Sequence, residues 1–419
     1  MNVGSEPVKS RGWYKEVSKD GWQSLIASGF GWFFEVFDIY ILSLTLPAII
    51  VFFSISTATA GLIGTVEAVG LIIGGIINGW LADVIGRVKA LIIAILIYSI
   101  FTGLTALATT VLAVGALRFL AGMGMGGEWV AGAALVAESW PPKYRGRGGA
   151  LMQMGLPLGS LFAVMIVDII TTAYSGTLNN GGWKIVYLVG ALPALMLIYV
   201  ALKTPESKVW LARRQNKGQK FTEEATVPHV KLGNVLIMFF FVFVAQYVYW
   251  GVFTFAPTFL VQVRHITFIH TLSFILVQQL GSLLGFIIWA LVVDKIGRRP
   301  SFITYLIIGM IGTLVFIYSL DHTLIYTGAF FSGMGITGIF AGLGPWTAEL
   351  VPRTQARGLF MGIAYNGGRV GGAIAPYVVG ALAVTSSGFI AGLLTTIIMM
   401  GIGIVIILIS KETKGIEIS

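Results

Sequence analysis

Two carboxylates, Glu35 and Asp38, stand three residues apart in the run Gly31–Pro47, whose other members are apolar, aromatic or hydroxyl-bearing. At that spacing they share one face of a helix. The run is apolar enough to enter a bilayer, where an ionisable side chain costs at least about 2.5–3.5 kcal/mol on insertion scales. A carboxylate kept at such depth has two uses: it balances a buried cation, or it takes up and releases a proton. Few other charges interrupt the apolar stretches. Glu67, Arg118, Glu128 and Arg369 are the main ones, and any chemistry within the apolar region must be built from this short set.

The elements that position these groups follow from composition. The chain has 419 residues, 56% of them hydrophobic and 11% charged, with a mean hydropathy of +0.88. A soluble globular chain carries about 25% charged residues, so an all-α membrane protein in a lipid bilayer is expected. The net charge is +9, from 27 Lys and Arg against 18 Asp and Glu. All the basic residues except Arg118, Lys184, Arg264 and Arg369 fall in the two tails or in alternate inter-helix loops. That asymmetry places both termini in the cytoplasm and leaves no basic patch for nucleic acid. With no cysteine in the chain, thiolate metal sites, disulfides and thiol nucleophiles are excluded. No metal cluster, phosphate loop or nucleophile–base pair is present, so neither an enzyme nor an ATP-driven pump is expected. The polar N-terminal stretch lacks the apolar core of a signal peptide.

Twelve blocks are long enough to span, at about 20 residues or more each: 23–52, 59–83, 88–109, 111–139, 146–172, 183–202, 233–261, 268–293, 300–320, 324–349, 357–384 and 388–410. We call them spans 1 to 12. They form two six-helix bundles, 23–202 and 233–410, with tails at 1–22 and 411–419. The bundles are joined by a polar linker at 203–232 that includes Lys217, Lys220, Glu223, Glu224 and Lys231. The halves repeat at an offset of 211 residues. Asp83-Val-Ile-Gly86-Arg87 returns as Asp294-Lys-Ile-Gly297-Arg298, Gly122-Met-Gly124 as Gly333-Met-Gly335, and Glu138 as Glu349. After one inserted residue, Arg145-Gly146 returns as Arg357-Gly358. Such a repeat implies parallel bundles about an axis along the membrane normal, with a binding site between them.

These motifs resemble the major facilitator superfamily over nearly the whole chain, although Gly79 opens the first loop motif and Ala290 the second. Gly126-Gly127-Glu128-Trp129 with Glu138-Ser-Trp-Pro141 resembles span 4 of proton symporters for organic acids. Ala364-Tyr365-Asn366-Gly-Gly-Arg369 resembles their span 11, as in lactate/pyruvate, sialate and aromatic-acid symporters. Arg118-x-x-x-Gly122-x-Gly124 also resembles sugar:proton symporters, in which an arginine of span 4 pairs an aspartate of span 1. The resemblance implies a major facilitator fold and alternating access.

At 1.5 Å per residue, Asp38 lies about 20 Å above the cytoplasmic edge of a ~30 Å core, and Arg118 about 10 Å below the outer edge. The two heights agree. One reading is a titratable pair in which protonating Asp38 frees Arg118; the other is a permanent ion pair locking spans 1 and 4. The first is preferred, because a carboxylate at that depth is costly to keep for structure alone. Arg369 is near mid-membrane on span 11. It holds a substrate carboxylate bidentately or pairs Glu35 or Asp38, with Asn366 one turn earlier in either role. Glu128 is a second proton site, part of an inner gate, or a structural carboxylate at a tight crossing. Glu67 is read as structural, span 2 being peripheral to the cavity. Gln246, Tyr249 and Trp250 on span 7 are ligand-binding candidates, with Gln278 and Gln279 on span 8 a similar case. Asp83, Arg87, Asp294, Arg298, Glu138, Arg145, Glu349 and Arg357 lie at the cytoplasmic face as gating ion pairs between the halves.

The expectation is a monomeric plasma-membrane carrier that moves a small organic acid anion inward with protons, protons being the coupling ion and no cofactor being needed. Rival readings are a sugar:proton symporter, through the Asp38–Arg118 pair, and a drug:proton antiporter, through Gly155-x-Pro157-x-Gly159. A non-transporting nutrient receptor fits poorly with such short tails.

Overall fold

In the computed structural model, residues 12–55, 57–174, 178–216, 232–266, 268–351, 357–383 and 385–416 are described. The linker residues Lys217, Lys220, Glu223, Glu224 and Lys231 lie outside them, as do residues 1–11 of the N-terminal tail. Among the described residues every regular element is helical. The twelve spans run Lys19–Phe53, Thr57–Ile85, Arg87–Thr105, Val111–Ser139, Arg145–Ala173, Gly182–Lys203, Leu232–Gln262, Phe268–Ile296, Arg298–Tyr318, His322–Leu350, Arg357–Leu382 and Ser386–Ile409. Span 1 starts four residues earlier than expected because the Ser18 hydroxyl caps it, accepting the Gly21 N–H at 3.1 Å. Span 3 ends at Thr105, four residues early, where the chain turns.

Among the described residues, eleven helices are long and apolar enough to cross a membrane. Span 11 is the exception, and it breaks at Arg369 into Arg357–Gly368 and Val370–Leu382. The Arg369 N–H is shared between the carbonyls of Tyr365 and Asn366, each at 3.2 Å. Glycines 367, 368, 371 and 372 flank the break, and glycine is the weakest helix former after proline. Spans 5 and 10 break too, at Met154 and Ile339. Gly155 and Gly159 on span 5 seat that helix closely against Phe33 of span 1, which gives Gly155-x-Pro157-x-Gly159 a packing role.

Within the first half, spans 2, 3 and 1 pack on span 4, and span 1 packs on span 5. Within the second, spans 8 and 9 pack on span 10, and span 7 packs on spans 11 and 12. The repeat is visible as packing. A Cβ at Gly122 would strike the Glu67 carbonyl of span 2, and one at Gly333 would strike the Gln278 carbonyl of span 8. Glycine at these offset-related sites lets two backbones touch.

The first and last described residues lie on one face of the bundle, the tail face, with Trp13 against Trp140 and Tyr144 and the Ile416 carbonyl on Arg145. The halves meet chiefly there, through Arg145–Gln153, Phe340–Leu350 and Arg357–Gly368, which pack against spans 8, 4 and 5, and 2 of the opposite half. The span 2–3 and 8–9 turns also lie at this face. Gly86 and Gly297 turn the chain there at φ +110° and +105°, a region that residues with a Cβ avoid.

The linker is not wholly irregular. Its start forms a helix, Lys208–Asn216, docked on the span 2–3 turn. The Trp210 indole N–H donates to the Asp83 carbonyl at 2.8 Å, and the Glu206 carboxylate accepts the Arg87 and Val88 N–H groups at 2.9 and 3.1 Å. Glu412 does the same for Arg298 and Arg299 at 2.9 and 3.0 Å. A carboxylate at each helix start satisfies orphan donors and favours the helix dipole.

A candidate transport site between the two bundles

Between the halves, in the middle and far part of the bundle, lies a cavity of about 290 Å³. Its wall is largely aromatic and aliphatic, with Trp32, Tyr40, Tyr249, Trp250 and Tyr365 prominent. The polar exceptions are few: Glu67, Gln246, Arg369 and the hydroxyl of Ser43 besides those of the tyrosines. A concave, mostly apolar site with a handful of placed polar groups is the usual form of a small-molecule site.

On the first-half wall, Arg118 is fully buried and held by two carboxylates. Its Nη1 and Nη2 donate to Asp38 Oδ1 and Oδ2 at 3.2 and 3.1 Å. Its Nε and Nη2 donate to Glu67 Oε2 and Oε1 at 3.1 and 3.0 Å. The Thr102 hydroxyl donates to Asp38 Oδ2 at 2.8 Å and accepts from Arg118 Nη1 at 3.1 Å. Asp38 and Arg118 thus meet, as their positions along spans 1 and 4 allow. Glu67 is a correction. Span 2 is not peripheral here: Glu67 reaches both the guanidinium and the cavity wall. One cation facing two carboxylates leaves a surplus negative charge unless one of them carries a proton, and Glu67 is the carboxylate open to the cavity.

At the cavity floor, Arg369 Nη2 donates to Glu35 Oε1 at 2.8 Å, while Nη1 has no partner. Glu128 lies beside Glu35, wholly buried, with neither carboxyl oxygen bonded. Beneath, Trp129 of span 4 stacks on Tyr365 of span 11 with ring centroids 3.3 Å apart. Gln153 Nε2 donates to the Phe340 carbonyl at 2.8 Å, again across the halves. Higher up, the Tyr40 and Tyr249 hydroxyls bond at 2.9 Å, and Trp250 Nε1 donates to Gln246 Oε1 at 3.1 Å.

Three of the expected ligand contacts fall elsewhere. Asn366 is buried between spans 2 and 4, donating to the Gly126 carbonyl at 3.4 Å, because span 11 crosses span 2 at Gly75. Gln278 turns toward Ser332 of span 10, at 3.3 Å, and neither it nor Gln279 lines the cavity. Gln278 stands where the repeat puts Glu67, and Tyr249 where it puts Asp38. The second half lacks an arginine at the Arg118 position, Ala329, so nothing draws Gln278 inward. Tyr40, Trp32 and Thr102 are site residues missed by the sequence reading. An aromatic or hydroxyl residue in an apolar helix carries no signal that separates a cavity wall from packing.

The tail-face charges form a latch in two matching parts. Arg87 pairs Asp83 at 2.7 Å and Glu138 at 3.1 Å, and Arg298 pairs Asp294 and Glu349, both at 2.8 Å. These four pairs lie within one half each, which corrects the expectation that all the gating pairs are cross-half. The cross-half ties include Arg357 on Glu138, Arg145 Nη1 on Glu349 Oε1 at 3.5 Å, the longer Arg147–Asp294 pair at 3.8 Å, and two helix caps. Asp83 accepts the Gly358 and Leu359 N–H groups at 3.1 and 3.0 Å. Asp294 accepts those of Gly146 and Arg147 at 3.1 and 3.0 Å. Replacing Glu138 and Glu349 together by glutamine should weaken this latch. With a cysteine at Ala133, beneath it and buried, the chain has a single thiol. Alkylation of that thiol should rise about tenfold over the same cysteine in an otherwise unchanged chain.

Twelve spans in two similar halves, closed at one face around a central cavity, define a membrane transporter. The chain belongs to the Major Facilitator Superfamily, whose profile matches residues 29–286 and 270–417. It is similar to the sialic acid transporter of Escherichia coli strain K12, 30% identical over 87% of this chain and 88% of that one. The cis,cis-muconate transport protein of Acinetobacter baylyi is 31% identical over 83% of this chain and 84% of the relative. Among solved structures, a proton:xylose symporter superposes with a TM-score of 0.78 at 19% identity, over 95% of this chain and 97% of that one. The protein is therefore a multi-pass membrane transporter with the major facilitator fold, not an enzyme, and relatives carry organic acids.

Proposed function

We propose that this transporter carries a small organic acid anion into the cell together with a proton, by alternating access. The observation that carries the reading is Arg369: a guanidinium on the wall of a mostly apolar cavity, with one nitrogen unpartnered. An arginine fork in a desolvated site suits a carboxylate and disfavours cations. The cargoes of the sialic acid and muconate relatives support the same class. The tail face is cytoplasmic by its basic loops, the membrane is the plasma membrane, and the working unit is a monomer whose two halves, 23–202 and 233–410, rock about the cavity. With that face latched, the cavity faces outward.

In this cycle the Asp38–Arg118–Glu67 cluster takes a proton from the cavity, which loosens the guanidinium from one of its carboxylates. The anion docks on Arg369 between Tyr40, Tyr249 and Trp250, with Gln246 held ready by Trp250. Release of the latch then lets the halves tilt. One proton with one monovalent anion moves no net charge, so ΔpH alone drives accumulation.

The test is Asp38→Asn in proteoliposomes. Uphill uptake driven by an imposed ΔpH should be lost while counterflow exchange persists; unchanged uphill uptake would refute the role. A thermal-shift screen with lactate, nicotinate, benzoate, sialate and xylose identifies the substrate to use. The Asp38–Arg118 pair favours a second reading, sugar:proton symport.

A further inference from the structure

We propose that Glu35 and the substrate carboxylate are alternative partners of Arg369, and that Glu35 leaves the guanidinium only by taking up a proton beside Glu128. The proposal rests on the anion reading above and assigns the coupling event to the cavity floor.

Four polar atoms at the floor lack partners: Glu35 Oε2, both carboxyl oxygens of Glu128, and Arg369 Nη1. Glu35 Oε1 holds Arg369 Nη2 at 2.8 Å. Glu35 and Glu128 are wholly buried, and Glu128 occupies the space that a side chain at Gly31, one turn before Glu35, would fill. The other ionisable groups facing the pair are Tyr98 of span 3, whose hydroxyl also lacks a partner, Tyr365 of span 11, and Asp38 one turn on along span 1.

Two bare carboxylates side by side in a dry site repel each other, and a buried carboxylate bonded by nothing is strongly disfavoured. One proton held between them removes both problems, and the pair then titrates as a unit. The charge count at rest is zero: one positive charge on Arg369 and one negative on the singly protonated pair. An anion arriving on the free Nη1 edge brings that count to minus one. The balance returns to zero only if a second proton enters from the cavity, leaving Glu35 and Glu128 both neutral and Arg369 held by the substrate alone. The floor therefore admits one proton for each monovalent carboxylate. That proton is the one the Asp38–Arg118–Glu67 cluster takes from the cavity, passed one turn back along span 1 as the anion docks, so the cycle still moves one proton per anion.

Purified protein in lipid nanodiscs tests this in two arms. The first is infrared difference spectroscopy at neutral pH with no ligand. Wild type should show a protonated-carboxyl C=O band that Glu128→Gln loses and Glu35→Gln shifts; a spectrum unchanged in both variants overturns the shared proton. The second is calorimetry with benzoate, nicotinate or lactate in buffers of different ionisation enthalpy. Wild type should take up about one proton per anion bound. Glu35→Gln should take up none and bind about tenfold tighter, since the rival for Arg369 is gone. Unchanged proton uptake or weaker binding in that variant overturns the exchange. If Glu35→Gln does not fold, Glu35→Asp carries the same test: the shorter side chain should keep proton uptake yet raise affinity. Failure of all three anions to bind any form defeats the anion reading and the exchange with it, while the infrared band still decides whether the carboxyl pair shares a proton.

Discussion

Arg369→Gln should lower the apparent affinity for an organic anion by about a hundredfold or more. That corresponds to the ~3 kcal/mol of a desolvated guanidinium–carboxylate contact. The effect is large because, among the described residues, no other cation lines the cavity: Arg118 sits behind it, occupied on both edges by Asp38 and Glu67. Substrate-dependent quenching of the cavity tryptophans Trp32 and Trp250, followed with the best anion of the screen, measures it. The same variant separates the two function readings. A neutral sugar bound by Tyr40, Gln246 and Tyr249 would keep its affinity within about threefold, as expected for loss of a charge it does not need.

The second large effect is on stability. Arg118→Met removes the cation from between Asp38 and Glu67, all three side chains being nearly free of solvent. Breaking a buried pair from one side costs about 3–5 kcal/mol, and here two carboxylates lose their partner together. The melting temperature in detergent should fall far enough to cut the yield of folded protein severely. Neutralising the cluster as a whole, with Asp38→Asn, Glu67→Gln and Arg118→Met combined, should restore most of the lost stability, because no uncompensated charge is left. The rescued triple variant should still fail to accumulate substrate against a gradient. A triple variant no more stable than Arg118→Met would show that the cluster holds the bundle by geometry rather than by charge balance.

The two groups of residues behind these predictions were unequally legible in the sequence. Helix rise alone placed Asp38 and Arg118 at one height, since a straight span in a core of fixed thickness has little freedom. Hydropathy marked all twelve spans, because an apolar run must be long enough to cross whatever its neighbours do. The azimuth of each helix about its own axis is a different matter. It depends on which face packs where, and the observed crossings decide it. From sequence Glu67 therefore reads as structural although it completes the charge cluster, and Asn366 reads as a cavity residue although it is clasped between spans 2 and 4. Gln278 and Gln279 failed for the same reason. The latch was half legible. The repeat exposed the charged residues, but it could not show that Asp83 and Asp294 end on backbone N–H groups, because a cap supplied from far away in the chain leaves no local signature at the helix start.

Those two caps have a consequence for how the carrier moves. Each aspartate belongs to one half and closes the first turn of a helix in the other, so the ties are reciprocal. A rigid tilt that pulls Asp83 from residues 358 and 359 also pulls Asp294 from 146 and 147. The inner mouth then parts in one concerted event, with no long-lived intermediate ajar on one side only. The freed amides are at the rim, where water replaces the lost acceptors at once, so the barrier stays low even though the closed form is well tied. A carrier that must shut thousands of times needs a clasp that is firm when engaged and undemanding to undo, and a pair of mutually capped helix ends provides both.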